Sequence, residues 1–307
     1  MYNGIINIYK ERGYTSFDVV ALLRKILHQK KIGHTGTLDP MAEGVLVVCL
    51  GNATKLCEIL TADTKEYETV LKLGECSDTD DCTGKISVRS GFEIPTEEAI
   101  RKTVMSYLGT YEQKVPEYAA VKVNGRKLYE YAREGLAVPE VYKEITVYSL
   151  DILEIDYPYV RINVVCSKGT YIRSLCRDIG EALGTGGLME SLLRRQTGGF
   201  KLSESKKLDE VRSLSEEGRL DEIVLPIEEL IGDWPAADIS EKGIKYLTNG
   251  NKLLSDDLLF RSSADEKKAM EGMIFRVYFD DKLYALYKYD DDKKAFLNYK
   301  MLSRVEE

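Results

Sequence analysis

The sequence predicts an α+β protein with a second, smaller β-rich unit at its C-terminal end. Three observations carry this reading. Lys65 to Leu73 alternates with a period of two, and Ile145 to Tyr157 and Tyr159 to Cys166 form a strand pair turning near Pro158. Between such segments stand stretches with helical spacing of apolar residues, over Phe17 to His28 and from Pro95 to Leu108. From about Trp234 the texture changes. Met273 to Phe279, Leu283 to Tyr289 and Ala295 to Leu302 read as strands joined by short acidic turns, with a helix near Glu241 to Leu247. The chain is therefore divided into residues 1–231 and 232–307.

In chain order, Gly4 to Tyr9 is a short strand. Ser16 is placed to cap the first helix, whose Val19, Val20, Leu23, Ile26 and Leu27 share a face. Arg24, Lys25, Lys30 and Lys31 cluster at its C-terminal end, where the helix dipole welcomes cations. That end feeds into Gly33-His34-Thr35-Gly36-Thr37-Leu38-Asp39-Pro40, then into the apolar run Val45 to Leu50, which reads as a buried central strand. Pro40 fixes its own φ and keeps Asp39 out of the α region. A carboxylate is thus held on a stiff loop tied to the core. On spacing alone, an ordinary turn and a catalytic carboxylate both fit. A short helix over Ala53 to Leu60 carries Lys55.

In the strand Lys65 to Leu73, Tyr67, Thr69, Leu71 and Leu73 share the inward face. Ser77 to Gly84 is an acidic loop that lacks calcium-loop spacing and reads as a turn. Pro95-Thr96-Glu97-Glu98 opens a helix. Residues 115–144 differ: Asn124-Gly125 marks a hairpin, and Arg126 to Arg133 interleaves cations with tyrosines, which suits contact with a nucleic-acid backbone and its bases. Gly169-Thr170 marks a strand-to-helix junction with Thr170 as cap. Arg173 then falls in a first helical turn, unfavourable for a cation unless an anion meets it. Leu192-Leu193-Arg194-Arg195 is read as the end of a helix before Gly198-Gly199, and 203–231 as polar and helical.

Composition is that of an ordinary globular chain, with 44% apolar and 31% charged residues. Six cysteines without a C-x-x-C pair, and only two histidines, argue against a zinc site and for reduced thiols in a cytoplasm. No run approaches the roughly 20 apolar residues of a membrane helix. Net charge is −8, yet Val19 to Leu38, Cys166 to Arg177 and Ser191 to Ser203 contain bases and no acid. Such local stretches can carry phosphate contacts on an acidic protein.

The unbroken Gly33–Pro40 segment, continued by Ala42, Gly44 and Leu46, resembles the catalytic loop of the TruB family of tRNA pseudouridine synthases. The resemblance spans roughly residues 1–231 at four separated motifs. It implies a mixed, mostly antiparallel sheet flanked by helices, with residues 115–144 as an inserted arm and 232–307 as a PUA-like RNA-binding unit. It implies conversion of uridine 55 in the tRNA T loop to pseudouridine, without metal or other cofactor. Asp39, Tyr67 and Arg173 match the catalytic positions, with Arg173 as counter-charge to Asp39. His34, Lys55, Tyr171 and Leu193 match substrate contacts, with Leu192 the alternative to Leu193. The implied partner is the tRNA T-stem loop, met by a monomeric cytoplasmic protein without guide RNA or membrane. Two other readings stay open: a catalytically silent RNA chaperone or binding module, and an Asp-based glycoside hydrolase. The second needs two flanking carboxylates, and only Glu43 is near. The C-terminal unit, with 15 acids against 13 bases from Gly232 onward, is expected to meet RNA by shape. Its removal is expected to spare the chemistry.

Overall fold

The structure is a computed structural model that describes residues 1–61, 64–268 and 270–303. The chain opens with β1 (Gly4–Lys10), α1 (Ser16–Ile26), β2 (Ile32–His34), β3 (Glu43–Leu50) and β4 (Thr64–Leu73). There follow β5 (Glu75–Ser77), β6 (Ile86–Val88), α2 (Glu97–Met105), β7 (Gly109–Lys114), β8 (Lys122–Val123), β9 (Arg126–Lys127) and α3 (Leu128–Arg133). Next come β10 (Tyr142–Asp156), β11 (Tyr159–Ser167), α4 (Ile172–Ala182), β12 (Gly187–Thr197), β13 (Phe200–Lys201), α5 (Leu208–Glu216) and α6 (Ile227–Leu230). The C-terminal part holds β14 (Ala236–Ile239), α7 (Ile244–Thr248), β15 (Leu258–Phe260), α8 (Ser263–Lys267), β16 (Ile274–Phe279), β17 (Lys282–Asp290) and β18 (Ala295–Met301).

A nine-stranded sheet runs in the order β1-β3-β12-β4-β11-β10-β7, with β2 added to β3 and β13 to β12. Every pairing in it is antiparallel except β3 with β12. The mixed, mostly antiparallel expectation therefore holds. On one face, α4 and α2 bury Ile172, Leu175, Ile179, Ile100 and Val104 against Leu71, Val160, Ile162 and Met189. Beside them α1 and α5 pack Val19, Leu23 and Val211 on Ile6, Ile8, Leu46 and Val48. Side chains alternate along β3, so Val45, Val47 and Cys49 project from the opposite face. There they meet Ile227, Ile231, Ala236, Tyr278, Leu283, Leu286 and Leu302 in one continuous core. The central strand is thus covered behind by the C-terminal unit. That unit has its own sheet, β15-β14-β16-β17-β18, around Phe275 and Phe296, whose rings meet edge to face at 4.9 Å.

Several local readings are corrected. The cap of α1 is Thr15, which accepts from the Asp18 amide while the Asp18 carboxylate accepts from the Thr15 amide. Tyr171, not Thr170, precedes α4; the Thr170 hydroxyl instead donates to the Ser167 carbonyl. The segment after β3 is a 3-10 turn over Gly51–Leu56. Leu192 to Arg195 lies within β12, not at a helix end. Register shifts at Met189/Ser191 and Arg194/Gln196 interrupt that strand's two-residue period, so its sequence mimics helical spacing. The strands Ala236–Ile239 and Leu258–Phe260 have no counterpart in the sequence reading.

Candidate active site

The 33–46 segment leaves β2, turns at Asp39-Pro40 and returns as β3. It is held through its backbone. The Ser16 hydroxyl accepts from the Leu38 amide at 2.9 Å and lies 3.2 Å from the Leu38 carbonyl. The Lys10 ammonium donates to the carbonyls of Ala42 (2.5 Å), Glu11 (3.2 Å) and Pro40 (3.3 Å). The Gly13 amide donates to the Pro40 carbonyl, and the Ala42 amide to that of Asp39. None of these bonds uses the Asp39 side chain, which remains about 39% exposed.

Arg173, in the first turn of α4 and 6% exposed, reaches the Asp39 Oδ2 through Nε at 3.1 Å. Its other nitrogens donate to the carbonyls of Thr79 (3.0 Å) and Tyr118 (3.3 Å), with Asp81 Oδ2 3.7 Å away. A cation at a helix N-terminus is thus offset by two carboxylates. The acidic 77–84 loop, read as a turn, is the strap that fixes it. Asp81 accepts from the Thr79 and Thr83 hydroxyls, and Asp80 pairs with Arg177 at 2.8 Å.

A cavity of about 360 Å³ opens beside Asp39, lined by Tyr67, Tyr171, Arg173, Leu192 and Arg194 among others. Tyr67 is 7% exposed; burial pushes its hydroxyl above the ordinary tyrosine range, and the Arg194 charge pulls the other way. Gln113 clamps the Tyr171 backbone, accepting from its amide at 2.8 Å and donating to its carbonyl at 3.1 Å. Tyr118, Ala119 and Ala120 bring the 115–144 arm to the cavity wall. A neighbouring hollow of about 470 Å³ shares Asp39, Tyr118 and Arg173 and adds Tyr129 and Arg133 of α3. There the Arg133 guanidinium stands 5.2 Å from the Tyr129 ring centre.

The structure therefore gathers Asp39, Tyr67, Tyr171 and Arg173 in one cavity. His34 lies at the end of β2, outside that lining, with its Nδ1 buried and unpartnered. Burial, then the Arg194 charge, holds its ring below the usual histidine range. Lys55 is not brought to the cavity. Its ammonium donates to the Met301 carbonyl at 2.5 Å, across the seam with the C-terminal unit. Leu192 lines the cavity and Leu193 does not, because successive residues of β12 face opposite sides of the sheet.

Sequence reasoning missed Lys10, Gln113 and Arg194 as members of the site. Arg194 sits in one row with its strand partners Gly44 and Tyr67. A Cβ at Gly44 would lie 2.3 Å from the Arg194 carbonyl, and φ there is +101°. Glycine is what lets β12 approach β3 beneath the loop.

Lys10 is fully buried, and burial lowers its ammonium to about 8. The folded state gives up this proton before the unfolded chain does, so stability rises with pH from about 8 toward the ordinary lysine value. Lys10→Met removes that rise and takes a donor from three carbonyls, of which that of Pro40 keeps the Gly13 amide. It is expected to cost about 1–3 kcal/mol at neutral pH. The wild type should gain about 2 kcal/mol more on the variant by pH ~10. Urea denaturation of both proteins at the two pH values measures this; parallel curves would contradict the assignment.

Comparison with known proteins places this geometry. The family model of the TruB pseudouridylate synthase N-terminal domain matches residues 24–172, and that of the tRNA pseudouridylate synthase B C-terminal domain matches 173–232. The chain is 44% identical to tRNA pseudouridine synthase B of Lachnoclostridium phytofermentans, over 97% of this chain and 99% of that protein. It is 40% identical to the protein of the same name from Clostridium tetani, over 92% of this chain and 94% of that one. Among solved structures, an archaeal Cbf5-Nop10 complex of the box H/ACA sRNP aligns with a TM-score of 0.70 and 25% identity, covering 99% of this chain and 87% of that one. An H/ACA RNP bound to a substrate RNA containing 2′-deoxyuridine aligns with a TM-score of 0.69 and 26% identity, covering 99% and 86%. The fold and the site define a pseudouridine synthase. The chain belongs to the TruB family of pseudouridylate synthases.

Proposed function

We propose that this protein isomerises uridine 55 in the T loop of tRNA to pseudouridine, acting alone and without a guide RNA. The observation that carries the proposal is the Asp39 carboxylate, held by Arg173 at the mouth of a cavity walled by Tyr67, Tyr171 and Leu192. The target nucleotide leaves its stack to enter this cavity, at a cost of a few kcal/mol. Asp39 supplies the charge that acts on the ribose. The C1′–N1 bond breaks with its electron pair on the base, the base turns, and C5 bonds to C1′. The C5 proton is lost and N1 gains one. Tyr67 and Leu192 hold the base, and Tyr67 is placed to carry a proton. His34 fills the gap that the extruded base leaves. The arm, with its paired arginines and tyrosines, closes over the RNA. The C-terminal unit acts as a PUA-like contact for a helical part of the tRNA. The relatives' shared name supports the substrate class.

Unmodified tRNA carrying tritium at uracil C5 tests the proposal. Tritium release should match pseudouridine formed at position 55 alone. Binding without release would support a silent RNA-binding module, and release from another position would refute the site assignment. The two leucines give a sharper check. Leu192→Ala should lower kcat/KM roughly tenfold, in line with removal of about 1–3 kcal/mol of apolar contact. Leu193→Ala should leave it within about twofold. Steady-state kinetics on a T-arm minihelix compares them; the reverse ranking would restore Leu193 as the contact.

A further inference from the structure

Arg194 is 1% exposed and among the largest fully buried side chains of the protein. Its Nε donates to the Val45 carbonyl at 2.6 Å and one terminal nitrogen to the Gly36 carbonyl at 3.2 Å. Among the described residues no carboxylate forms an ion pair with it. A buried cation without a counter-charge is costly, and proteins normally pair it. Its field reaches three neighbours, opposing protonation of Lys10 and His34 and favouring ionisation of Tyr67. The guanidinium also lines the cavity, on the row it shares with Tyr67. Arg173 already has Asp39 and Asp81. Arg194 is therefore a positive group that lines the space the substrate enters, bonded to two main-chain carbonyls and to the Tyr67 hydroxyl but, among the described residues, paired with no carboxylate.

We propose that Arg194 is a further catalytic residue, donating an N–H to a uracil carbonyl oxygen and stabilising the base as it leaves as an anion. This rests on the isomerase reading of the same cavity. When C1′–N1 breaks, its electron pair stays on the ring and negative charge spreads to the carbonyl oxygens. A charged donor fixed in a dry wall favours that state over the neutral uridine. The charge disappears once C5 has bonded to C1′, the C5 proton has left and N1 has taken up a proton. Arg194 itself gains and loses no proton, since a guanidinium stays charged throughout. Its depth favours the base over a backbone phosphate, which would sit at the rim near the exposed Lys168. Its bonds to Val45 and Gly36 fix the donor beforehand, so little reorganisation is needed as charge develops.

The test compares tRNA bearing uridine with tRNA bearing 5-fluorouridine at the target position. Fluorine withdraws electrons and stabilises the departing anion by itself, so the fluorinated base depends less on Arg194. Single-turnover base rearrangement is measured at saturating tRNA for wild type, Arg194→Gln and Arg194→Lys. Arg194→Gln should slow uridine roughly tenfold to a hundredfold, the worth of one charged hydrogen bond. It should slow 5-fluorouridine clearly less, and Arg194→Lys should recover part of the uridine rate. Equal slowing of both substrates, or none, would overturn the proposal and leave Arg194 as a strut between β3 and β12. If Arg194→Gln fails to fold by circular dichroism, the ratio is read on Arg194→Lys, where an unchanged ratio overturns the proposal and a raised one supports it. A wild type that leaves uridine unconverted would instead refute the isomerase reading.

Discussion

Asp39→Asn is expected to abolish pseudouridine formation, lowering the single-turnover rate by about 10³-fold or more, the scale expected when a group making the central covalent or proton-transfer step is lost. tRNA affinity is expected to stay within about a few-fold, since binding is expected to rest mainly on phosphate and stacking contacts away from this one carboxylate. The reason is in how the loop is held. Lys10, Ser16 and the Gly13 amide all bind its backbone. The one side-chain bond removed is the ion pair with Arg173. Arg173 keeps its carbonyl partners at Thr79 and Tyr118 and its neighbour Asp81, so an isosteric amide leaves the guanidinium in place. Filter binding beside tritium release separates affinity from chemistry. Turnover by the variant near the wild-type rate would remove Asp39 from the mechanism.

The sequence announces Asp39 because its constraint is local: glycines and Pro40 shape a loop within a dozen residues. Arg173 is also legible, since a cation in the first turn of a helix calls for an anion, and Asp39 answers at 3.1 Å. Arg194 is not legible that way. Its acceptors, Val45 and Gly36, lie about 150 positions away, and both are main-chain carbonyls that leave no trace in residue type. Lys10 is hidden for the same reason; a buried lysine bonded to three carbonyls looks like any strand-end lysine. Leu193 is matched as the leucine before the paired arginines, and only the alternation along β12 shows that Leu192, the alternative, is the one that lines the cavity. The bond from Lys55 to the Met301 carbonyl is not legible either, because Met301 belongs to a unit whose docking no local pattern reveals.

That docking changes what truncation does. Deletion of residues 234–307 is expected to destabilise the catalytic unit before it weakens tRNA binding, contrary to the expectation that rests on all the chemistry residues lying before residue 200. Ala236, Tyr278, Leu283, Leu286 and Leu302 share a core with Val45, Val47 and Cys49, on the back of the strand that carries the Asp39 loop. Arg276 fastens the connection, donating to the carbonyls of Gly232 at 2.7 Å and Trp234 at 2.9 Å. Uncovering several of these side chains, at about 1.5–3 kcal/mol for each one fully exposed, costs on the order of 5 kcal/mol. That is much of the net stability of a typical domain, about 5–15 kcal/mol. The truncated chain should therefore unfold at lower urea, bind a hydrophobic dye and lose the chemical step with its fold. Arg276→Ala in the full chain should produce a smaller shift in the same direction, about 1 kcal/mol, because it loses hydrogen bonds to one exposed and one half-buried carbonyl without stripping the face. A truncated protein that melts like the full chain and keeps its single-turnover rate would show that the back of β3 does not need the C-terminal unit. The role of residues 234–307 would then be tRNA contact alone.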